Sequence, residues 1–547
     1  MIKNYLKIAY RKLIRQKTFA AINIIGLAIS LAVALLIFLY VQHELSYDAF
    51  HEKADRIYRT IRVGMNDESH YTPDPFASVM KQHVPGIEEA VRIWSHVDEA
   101  PILRTEKKAF NEDHIYIADS GFFSLFTTEM LVGHPVTALT QPRSLVLSEA
   151  TAQKYFQTAG DAVGKSMYVT VFGEEHQYRV TAVAEDFPAN SHFHFNALLS
   201  IDYSREEFQL WNWLADWPDT YFLLEEGVDA QQVQERMIAL TDTLLNPVYE
   251  MRFGKSYESF KANGDIHEYH LQPLQDIRLY SAHMYDNNPQ SDIRTVSMFA
   301  TIGLLLLFIA VFNYVNLATA QSAQQAKSTG IRKVLGAVRS QLYGLFLTES
   351  VLICLIAALV GLTICQIVVT SNFSIVRQFL PTDISLTSVV IMLVLAGVIG
   401  LFSGWVPAQL LSSFQPTQVL KGQLVRGTKG SRLRNSLVIA QFAVSSGLII
   451  SIILISQQLS YLQNKSLGFN KEHLLVVKHI DKLDEKKHAL KQMLSTTSYT
   501  ANASLAYNVL GQPYNGDAFT PVEFVEQGQT EAVNIPRYSA DRDYLAT

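Results

Sequence analysis

The sequence predicts a membrane protein with about five transmembrane helices and a large α+β domain outside the membrane, between the first and second helices. Five stretches of the 547-residue chain are apolar over roughly the 20 residues that a helix needs to cross the hydrocarbon core. About 250 residues with mixed strand-like and helical patterns separate the first stretch from the second. The basic residues concentrate in short segments beside the apolar stretches, as they do in membrane proteins.

The N-terminal segment, residues 1–18, is predicted to be a cytoplasmic amphipathic helix. Its apolar residues share one helical face, and the other face carries Lys3, Lys7, Arg11 and Arg15. We expect it to lie along the inner leaflet near anionic lipid head groups, although a basic tail that only sets topology is the alternative. The following stretch, 19–41, is too long for a typical signal peptide and lacks a small-residue cleavage site, so it is predicted to be the first transmembrane helix.

The remaining predicted transmembrane helices cover 296–320, 346–370, 386–410 and 436–458. Segments 1–18, 321–345 and 411–435 together hold fifteen Lys and Arg residues and no Asp or Glu. If the five helices alternate, all three basic segments lie on one side, and the positive-inside rule makes that side cytoplasmic. The N-terminus is therefore predicted to be cytoplasmic, and residues 42–295 and 459–547 to be outside.

Residues 42–295 are predicted to form the exterior α+β domain. The segment mixes strand-like runs ("SLVLS", "SMYVTVF", "YRVTAVAEDF", "HFHFNALLSI", "TYFLLEE") with separate helical runs ("PFASVMKQH", "SEATAQKYFQ", "AQQVQERMIALTDTLL"). The only cysteines, Cys354 and Cys365, fall in the third span, so the exterior domain has no disulfide, which is compatible with a bacterial envelope domain.

The stretch "AGDAVGKS", residues 159–166, is close to a phosphate-binding loop, G-x-x-x-x-G-K-[ST]. However, Ala159 stands where the first glycine is required, and the stretch follows a predicted helix and precedes a predicted strand. A phosphate-binding loop needs the opposite order, because the phosphate sits at the N-terminus of the following helix. We therefore interpret Gly160 and Gly164 as the turn between a helix and a strand.

The chain also contains the beginning of a second copy of its first part. Leu459-Ser460-Tyr461 after the fifth span matches Leu45-Ser46-Tyr47 after the first, and "ADRDYLAT" echoes "ADSGFFSLF". Residues 459–547 are thus expected to begin a second exterior domain that is incomplete, and the chain to be a truncated version of a longer protein.

Within the predicted loop 321–345, Gly330 and Gly336 are expected to flank a short cytoplasmic helix. Arg332 and Lys333 give this helix a basic edge beside apolar Ile331, Val334 and Leu335. A helix of this kind suits docking into a groove on a partner protein, while an ordinary basic loop is the alternative.

Several stretches together resemble the FtsX/MacB-type permease family of ABC systems, and the resemblance extends over essentially the whole chain. They are "GIRKVLGAVRSQL", "FLTES", "FNYVNLATAQSA", "PAQLLSSFQPTQVLKG" and "EDFPANSHFHF". The stretch "NIIGLAISLAVALLIFLYVQHELSYDAFHEKADRIYR" is similar to the two-repeat, eight-span branch typical of Bacteroidota. The resemblance implies a MacB-like periplasmic core domain at 42–295, an FtsX-like permease domain at 296–435, and a place in the bacterial inner membrane.

The resemblance also implies a separate cytoplasmic ABC ATPase that binds the ATP, with no cofactor on this chain. The ATPase would dock on the coupling helix, formed by Gly330, Ile331, Arg332, Lys333, Leu335, Gly336 and Ala337. The family usually has an acidic residue two positions before Gly330, where this chain has Ser328. The resemblance also implies a homodimer, or a pseudo-dimer formed by the repeats. A periplasmic or outer-membrane partner is compatible with it, and no binding to nucleic acid is expected.

Some polar and small residues inside the predicted spans are candidates for contacts between helices. Asn313 and Asn316 share a face of the second span, where interhelical hydrogen bonds are the preferred interpretation and a substrate contact the alternative. Gly400 and Gly404 form a G-x-x-x-G pattern that allows close helix approach. In the exterior domain, His192 and His194 would face the same way on a strand, but no third metal ligand is evident, and no metal site is predicted.

The predicted function is a non-catalytic permease subunit that couples ATP hydrolysis by a partner ATPase to motions of its periplasmic domain, for export or mechanotransmission. The alternative is a membrane-anchored regulator or sensor that activates a periplasmic partner, such as a cell-wall hydrolase, without transport. An anchored envelope hydrolase comes third, because no H-E-x-x-H, G-x-S-x-G or paired C-x-x-C motif occurs.

Overall fold

The computed structural model describes most of the chain in two compact units, Met1–Gln458 and Leu459–Thr547. The described residues are 2–64, 68–95, 101–171, 173–201, 213, 216–262, 268–284, 290–371, 380, 384–413, 428–466, 472–478, 480–483, 485–507, 519–526, 529–536 and 539–547. Most of the basic segment 411–435, and with it most of "PAQLLSSFQPTQVLKG", lies outside them.

The helices of the described residues are numbered in chain order. They are α1 Ile2–Arg15, α2 Lys17–Leu45, α3 Phe76–His83, α4 Phe122–Leu125, α5 Glu149–Tyr155, α6 Ala159–Ala162, α7 Ala230–Phe253, α8 Tyr257–Ala262, α9 Ile277–Tyr280, α10 Ile293–Val334, α11 Arg339–Val369, α12 Leu386–Ser413, α13 Thr428–Asn464 and α14 Lys486–Ser495.

Five of these helices are long and apolar enough to cross a membrane. The segments that qualify by length and composition are Lys17–Leu45, Ile293–Gln321, Arg339–Val369, Leu386–Gln409 and Asn435–Asn464. Helices α2, α10, α11 and α12 pack together around a buried apolar core that includes Leu31, Ala357 and Ala396. The predicted fold class, about five apolar helices and an α+β domain after the first, is confirmed.

The strands of the exterior domain lie between α2 and α10, and a separate hairpin occurs in the second unit. They are β1 Ile57–Val63, β2 Glu68–Ser69, β3 Tyr71–Pro73, β4 Ile87–Trp94, β5 Ile102–Arg104, β6 Ala109–Asn111, β7 Ile115–Ala118, β8 Met130–Val132, β9 Ser144–Ser148, β10 Ser166–Val171, β11 Glu174–Ala184, β12 Ala197–Ser200, β13 Asp216–Leu224, β14 Glu268–Pro273, β15 Phe519–Glu526 and β16 Gln529–Pro536.

The exterior strands form one mixed sheet with the order β14-β1-β13-β4-β7-β12-β9-β11-β10-β5-β6. Strands β2, β3 and β8 pair beside this path with β1, β13 and β11. The β9–β11 and β7–β12 pairs are parallel, and the other pairs are antiparallel. In the second unit, β15 and β16 form an antiparallel hairpin.

The "AGDAVGKS" stretch has the order helix, turn, strand. Residues Ala159–Ala162 form α6, Gly164 turns the chain at a positive φ of 84°, and β10 begins at Ser166. A strand rather than a helix follows the turn at Gly164, so the order that a phosphate-binding loop requires does not occur in this stretch.

The predicted strand "HFHFNALLSI" is wrong over its first half, because β12 begins only at Ala197. Phe193 and Phe195 do alternate into the domain core, where they pack against Phe122 and Phe187. The backbone around them bonds elsewhere, since the His192 N–H donates to the Asp48 carboxylate (3.1 Å). His192 and His194 therefore do not lie on a common strand.

Candidate functional site

The predicted docking segment lies where α10 turns into α11. Helix α10 runs without interruption from Ile293 to Val334, so Gly330 is a buried position inside it. The expectation of a separate short helix flanked by two glycines is therefore corrected: the segment is the last turns of α10 and a tight turn, because only the second glycine leaves the helical conformation. We call residues 330–339 the docking hairpin.

The turn of the docking hairpin is closed by Gly336, whose φ is 92°. The N–H groups of Leu335, Gly336 and Ala337 donate to the carbonyls of Ile331, Lys333 and Arg332, each at 3.0 Å. These bonds satisfy carbonyls at the end of α10, and a glycine in the left-handed region is the usual residue for such a helix end. The turn is thus closed by three backbone hydrogen bonds.

An apolar patch covers the tip of the docking hairpin. The side chain of Leu335 is 81% exposed and that of Val334 63%, and Ile331 and Val338 are also exposed. These four residues leave apolar surface on a backbone that the helix end holds in place. An apolar surface on a fixed support is what docking into a groove requires.

The sequence predicted a basic edge formed by Arg332 and Lys333, and the structure bonds Lys333 to the end of α12. The Lys333 Nζ donates to the carbonyl of Ser412 at the end of α12 (2.6 Å), and the Arg339 Nε donates to the Ser412 hydroxyl (3.3 Å). Burial, with a smaller contribution from the Arg339 charge, lowers the pKa of Lys333. Lys333 and Arg339 therefore fasten the hairpin to α12, and Arg332 is left partly exposed.

Helix α1 is attached to the N-terminal part of α11. The Lys12 Nζ lies 2.6 Å from the Glu349 Oε2 and over the ring of Phe346, and Tyr5 packs against Gly344. Burial lowers the pKa of Lys12, and the neighbouring Glu349 carboxylate opposes that shift. Sequence reasoning missed this pair, although a single carboxylate inside a predicted span signals a partner.

The candidate glycines of the fourth span lie directly against α11. A Cβ at Gly400 would come 2.7 Å from the Val351 Cα, and a Cβ at Gly404 would come 2.6 Å from the Ser350 Oγ. Ser350 in turn accepts a hydrogen bond from the Tyr314 hydroxyl of α10 (2.8 Å). This contact between spans involves Tyr314, which the sequence analysis did not single out.

The two candidate asparagines of the second span have different surroundings. The Asn313 amide nitrogen lies near Gly26 of α2. The Asn316 Oδ1 is buried and has no hydrogen-bond partner among the residues that the structure describes. The structure therefore gives no interhelical hydrogen bond to this oxygen.

Two aromatic side chains of the exterior domain, His192 and Trp213, are buried in packing and polar contacts. His192 contacts Asp48 and Tyr221, and Trp213 is buried in an apolar core, while Trp217 is half exposed. Trp211 lies outside the described residues. Within the described part of the chain, no group of three or more His, Cys, Asp or Glu side chains is placed to hold a metal ion.

Comparison with known families gives two matches that follow the domain order. A MacB-like periplasmic core domain matches residues 20–240, and an FtsX-like permease C-terminal domain matches residues 300–416. The first match includes most of α2 and most of the exterior sheet. The second includes most of α10, all of α11 and α12, and the docking hairpin.

Among curated proteins, the chain is similar to export proteins. It is 29% identical over 167 residues to "Macrolide export ATP-binding/permease protein MacB" of Neisseria gonorrhoeae, covering 29% of this chain and 26% of that protein. It is 29% identical over 131 residues to "Probable syringafactin export ATP-binding/permease protein SyfD" of Pseudomonas syringae, covering 24% and 19%. The matched part thus spans about a quarter or less of these relatives' length.

Among solved structures, a domain of a permease protein from Porphyromonas gingivalis is 20% identical, with a TM-score of 0.33, covering 46% of this chain and 99% of that one. The periplasmic region of MacB from Actinobacillus actinomycetemcomitans is 11% identical, with a TM-score of 0.28, covering 41% and 91%.

Proposed function

The chain belongs to the FtsX/MacB family of ABC transporter permeases, and from that membership we propose that it is the non-catalytic membrane subunit of a complex with a separate cytoplasmic ATPase. The ATPase binds and hydrolyses ATP. This chain converts the resulting movement of its docking hairpin into movement of its periplasmic domain. It is an inner-membrane, multi-pass protein, and we propose that its N-terminus is cytoplasmic.

The exposed apolar tip of the docking hairpin is the observation that carries the proposal. Leu335 and Val334 project from a turn that Gly336 closes and that Lys333 fastens to α12. Apolar side chains on such a support bind with little loss of conformational entropy, because the backbone is already ordered. The positive-inside rule puts this tip on the cytoplasmic side, where the ATPase would be.

The continuity of α10 supports the coupling part of the proposal. Its 42 residues make a helix about 63 Å long at a rise of 1.5 Å per residue. The helix begins at Ile293, where the chain leaves the exterior domain, and ends in the docking hairpin. A push on the hairpin is therefore delivered to the exterior end of the same helix.

We propose export rather than regulation as the output, because the curated relatives carry export in their names. We further propose that the working assembly contains two permease halves, as a homodimer or as a pseudo-dimer of repeats. Compounds whose addition stimulates the ATPase activity of the complex would identify the cargo.

Affinity capture of the protein from native membranes tests the docking proposal. We expect the wild-type protein to bring down an ATPase activity, and Leu335→Asp to lose it, since a carboxylate would have to be buried in the groove. Val136→Asp is the matched control, because Val136 is 67% exposed in the exterior domain. Equal capture by Leu335→Asp and the control would reject the hairpin as the docking site.

A further inference from the structure

The outer end of the first transmembrane helix is joined to the exterior domain by a buried ion pair. Glu44, at the end of α2, is 2% exposed, and Arg278 of α9 is 7% exposed. The Arg278 Nε and Nη2 donate to the two Glu44 carboxylate oxygens, each at 3.1 Å. The guanidinium also lies 4.4 Å from the centre of the Tyr47 ring. A two-point pair of this kind fixes direction as well as distance.

The same arginine residue is connected to the start of α10. The Ser291 N–H donates to the Arg278 carbonyl (2.9 Å), and the next residue, Asp292, caps α10 by accepting the Arg294 N–H (2.7 Å). Arg278 therefore contacts the first transmembrane helix through its side chain and the entry to the second through its backbone.

A second set of contacts joins the exit of α2 to the middle of the exterior sheet. Asp48 is fully buried with a positive φ of 58°, and its Oδ1 lies 2.9 Å from the His192 Nδ1. The His192 Nε2 lies 3.0 Å from the hydroxyl of Tyr221 on β13, which pairs with β1 and β4 inside the sheet.

The neighbouring backbone repeats this connection. The Asp48 N–H donates to the Asn190 carbonyl (2.9 Å), and the Asn190 amide donates to the Ser46 carbonyl (2.9 Å). The segment that follows α2 and the loop before β12 are therefore joined by two hydrogen bonds, one donated from each side.

We propose that these contacts form an exit clamp, made of Glu44, Ser46, Asp48, Asn190, His192 and Arg278, that makes the outer ends of α2 and α10 move with the exterior sheet as one body. Within the clamp, the Glu44–Arg278 pair holds the outer end of α2 in a fixed position relative to α9. The inference rests on the proposed function, because it names the residues that pass the movement of the helices to the exterior domain.

The two carboxylates of the exit clamp occur in the first repeat but not at the aligned positions of the second. When Leu459-Ser460-Tyr461 is aligned with Leu45-Ser46-Tyr47, Gln458 stands at the position of Glu44 and Leu462 at that of Asp48. The second exit thus lacks both carboxylates that the first uses, and it cannot form the same pairs. The two repeats would transmit movement unequally.

Variants of the ion pair separate transmission from folding. Arg278→Met alone leaves the Glu44 charge buried without a partner and is expected to destabilise the protein. The double variant Glu44→Gln/Arg278→Met removes both charges, so it is expected to fold while lacking the two-point pair. The control is Glu175→Gln/Arg104→Met, since Arg104 and Glu175 form the same two-point pair (2.9 and 2.8 Å) on the exposed surface of the exterior domain.

The measurement is the distance distribution between spin labels at Gln157→Cys in the exterior domain and Ala300→Cys in α10, in the full chain in lipid nanodiscs. Without ATPase or nucleotide, we expect a broader distribution for the Glu44/Arg278 double variant than for wild type, and no change for the control. An unchanged distribution in a folded double variant would overturn the clamp.

Adding the ATPase and ATP separates the clamp from the proposed function. If wild type shows an ATP-dependent shift and the Glu44/Arg278 double variant loses it, both stand. If wild type shows no shift although the ATPase is bound, the coupling function fails, while the nucleotide-free comparison still decides the clamp. If the double variant shifts as wild type does, the clamp alone fails.

Discussion

Lys12 and Glu349 form an ion pair across 337 positions of sequence, with Nζ 2.6 Å from Oε2. The pair ties the N-terminal helix to the N-terminal part of α11, the helix that follows the docking hairpin. Because both side chains are largely buried, the pair is a fixed point beside the hairpin rather than a surface contact.

Removing the lysine should loosen α1 from α11. Lys12→Met leaves the Glu349 carboxylate buried without its partner, which should cost about 1–3 kcal/mol. We expect faster amide hydrogen exchange along α1 than in the wild-type protein. Lys7→Met is the control, since Lys7 is exposed on the same helix. The attachment would be contradicted if the two variants exchanged at the same rate.

Alanine at Gly400 should be worse tolerated than alanine at Gly397. At Gly400 the new methyl group would come 2.7 Å from the backbone of Val351, whereas at Gly397 no heavy atom of the described residues lies within 4 Å. Overpacking of this kind costs about 1–3 kcal/mol. Thermal unfolding in detergent should show a lower midpoint for Gly400→Ala only. Equal midpoints would mean that α11 and α12 are not packed this closely.

The docking hairpin should require glycine at position 336 because of the backbone φ angle there, not because a side chain would clash with its neighbours. Its φ is 92°, and no described atom lies within 4 Å of a Cβ placed there. Asparagine tolerates the left-handed region better than a β-branched residue does. We expect Gly336→Val to lower ATPase capture strongly and Gly336→Asn to retain more of it. If both variants captured equally, the turn geometry would not matter for docking.

The exterior domain should lose stability in mild acid through His51. Burial lowers the pKa of His51 from 6.5 to about 4, against the smaller raising effect of the Asp48 charge and with His192 adding to the lowering. Above pH 6.5 both folded and unfolded states leave the ring neutral. As the pH falls from 6.5 towards 4, His51 becomes protonated in the unfolded state but stays neutral in the folded state. The free energy of unfolding therefore decreases over this range.

His51→Gln tests this pH dependence, because glutamine does not titrate and retains an acceptor for the Thr127 N–H (3.0 Å). The wild-type protein should lose about 2 kcal/mol more than the variant between pH 7 and pH 5. Chemical unfolding followed by tryptophan fluorescence at both pH values gives the difference. Parallel losses in the two proteins would assign the acid sensitivity to other groups.

Local sequence patterns predicted the parts of the fold that depend on neighbouring residues. The apolar runs gave the five helices, because crossing a membrane requires a length that few other segments have. The apolar run in "SLVLS" and the alternation in "SMYVTVF" predicted β9 and β10. The strand predicted for "HFHFNALLSI" was wrong over its first half, because the backbone N–H of His192 bonds to the distant Asp48 instead of a neighbouring strand.

The docking site stays a prediction, but the segment proposed for it has a different local structure from the one expected. Gly330 looked like a helix boundary because glycine is a poor helix former, yet α10 continues through it. The roles of Lys333 and Arg339 could not be read from the sequence, because their partner Ser412 lies more than 70 positions away. The Glu44–Arg278 pair, separated by 234 positions, was hidden for the same reason.

Photo-crosslinking from the tip of the docking hairpin tests the central claim most directly. A photoreactive amino acid at Leu335 in the full chain, irradiated in native membranes, should give an adduct with a protein that binds ATP. The same amino acid at Val136 should not give it. Adducts from Leu335 with lipid alone, or with no ATP-binding protein, would contradict the claim that this hairpin receives the movement of an ATPase.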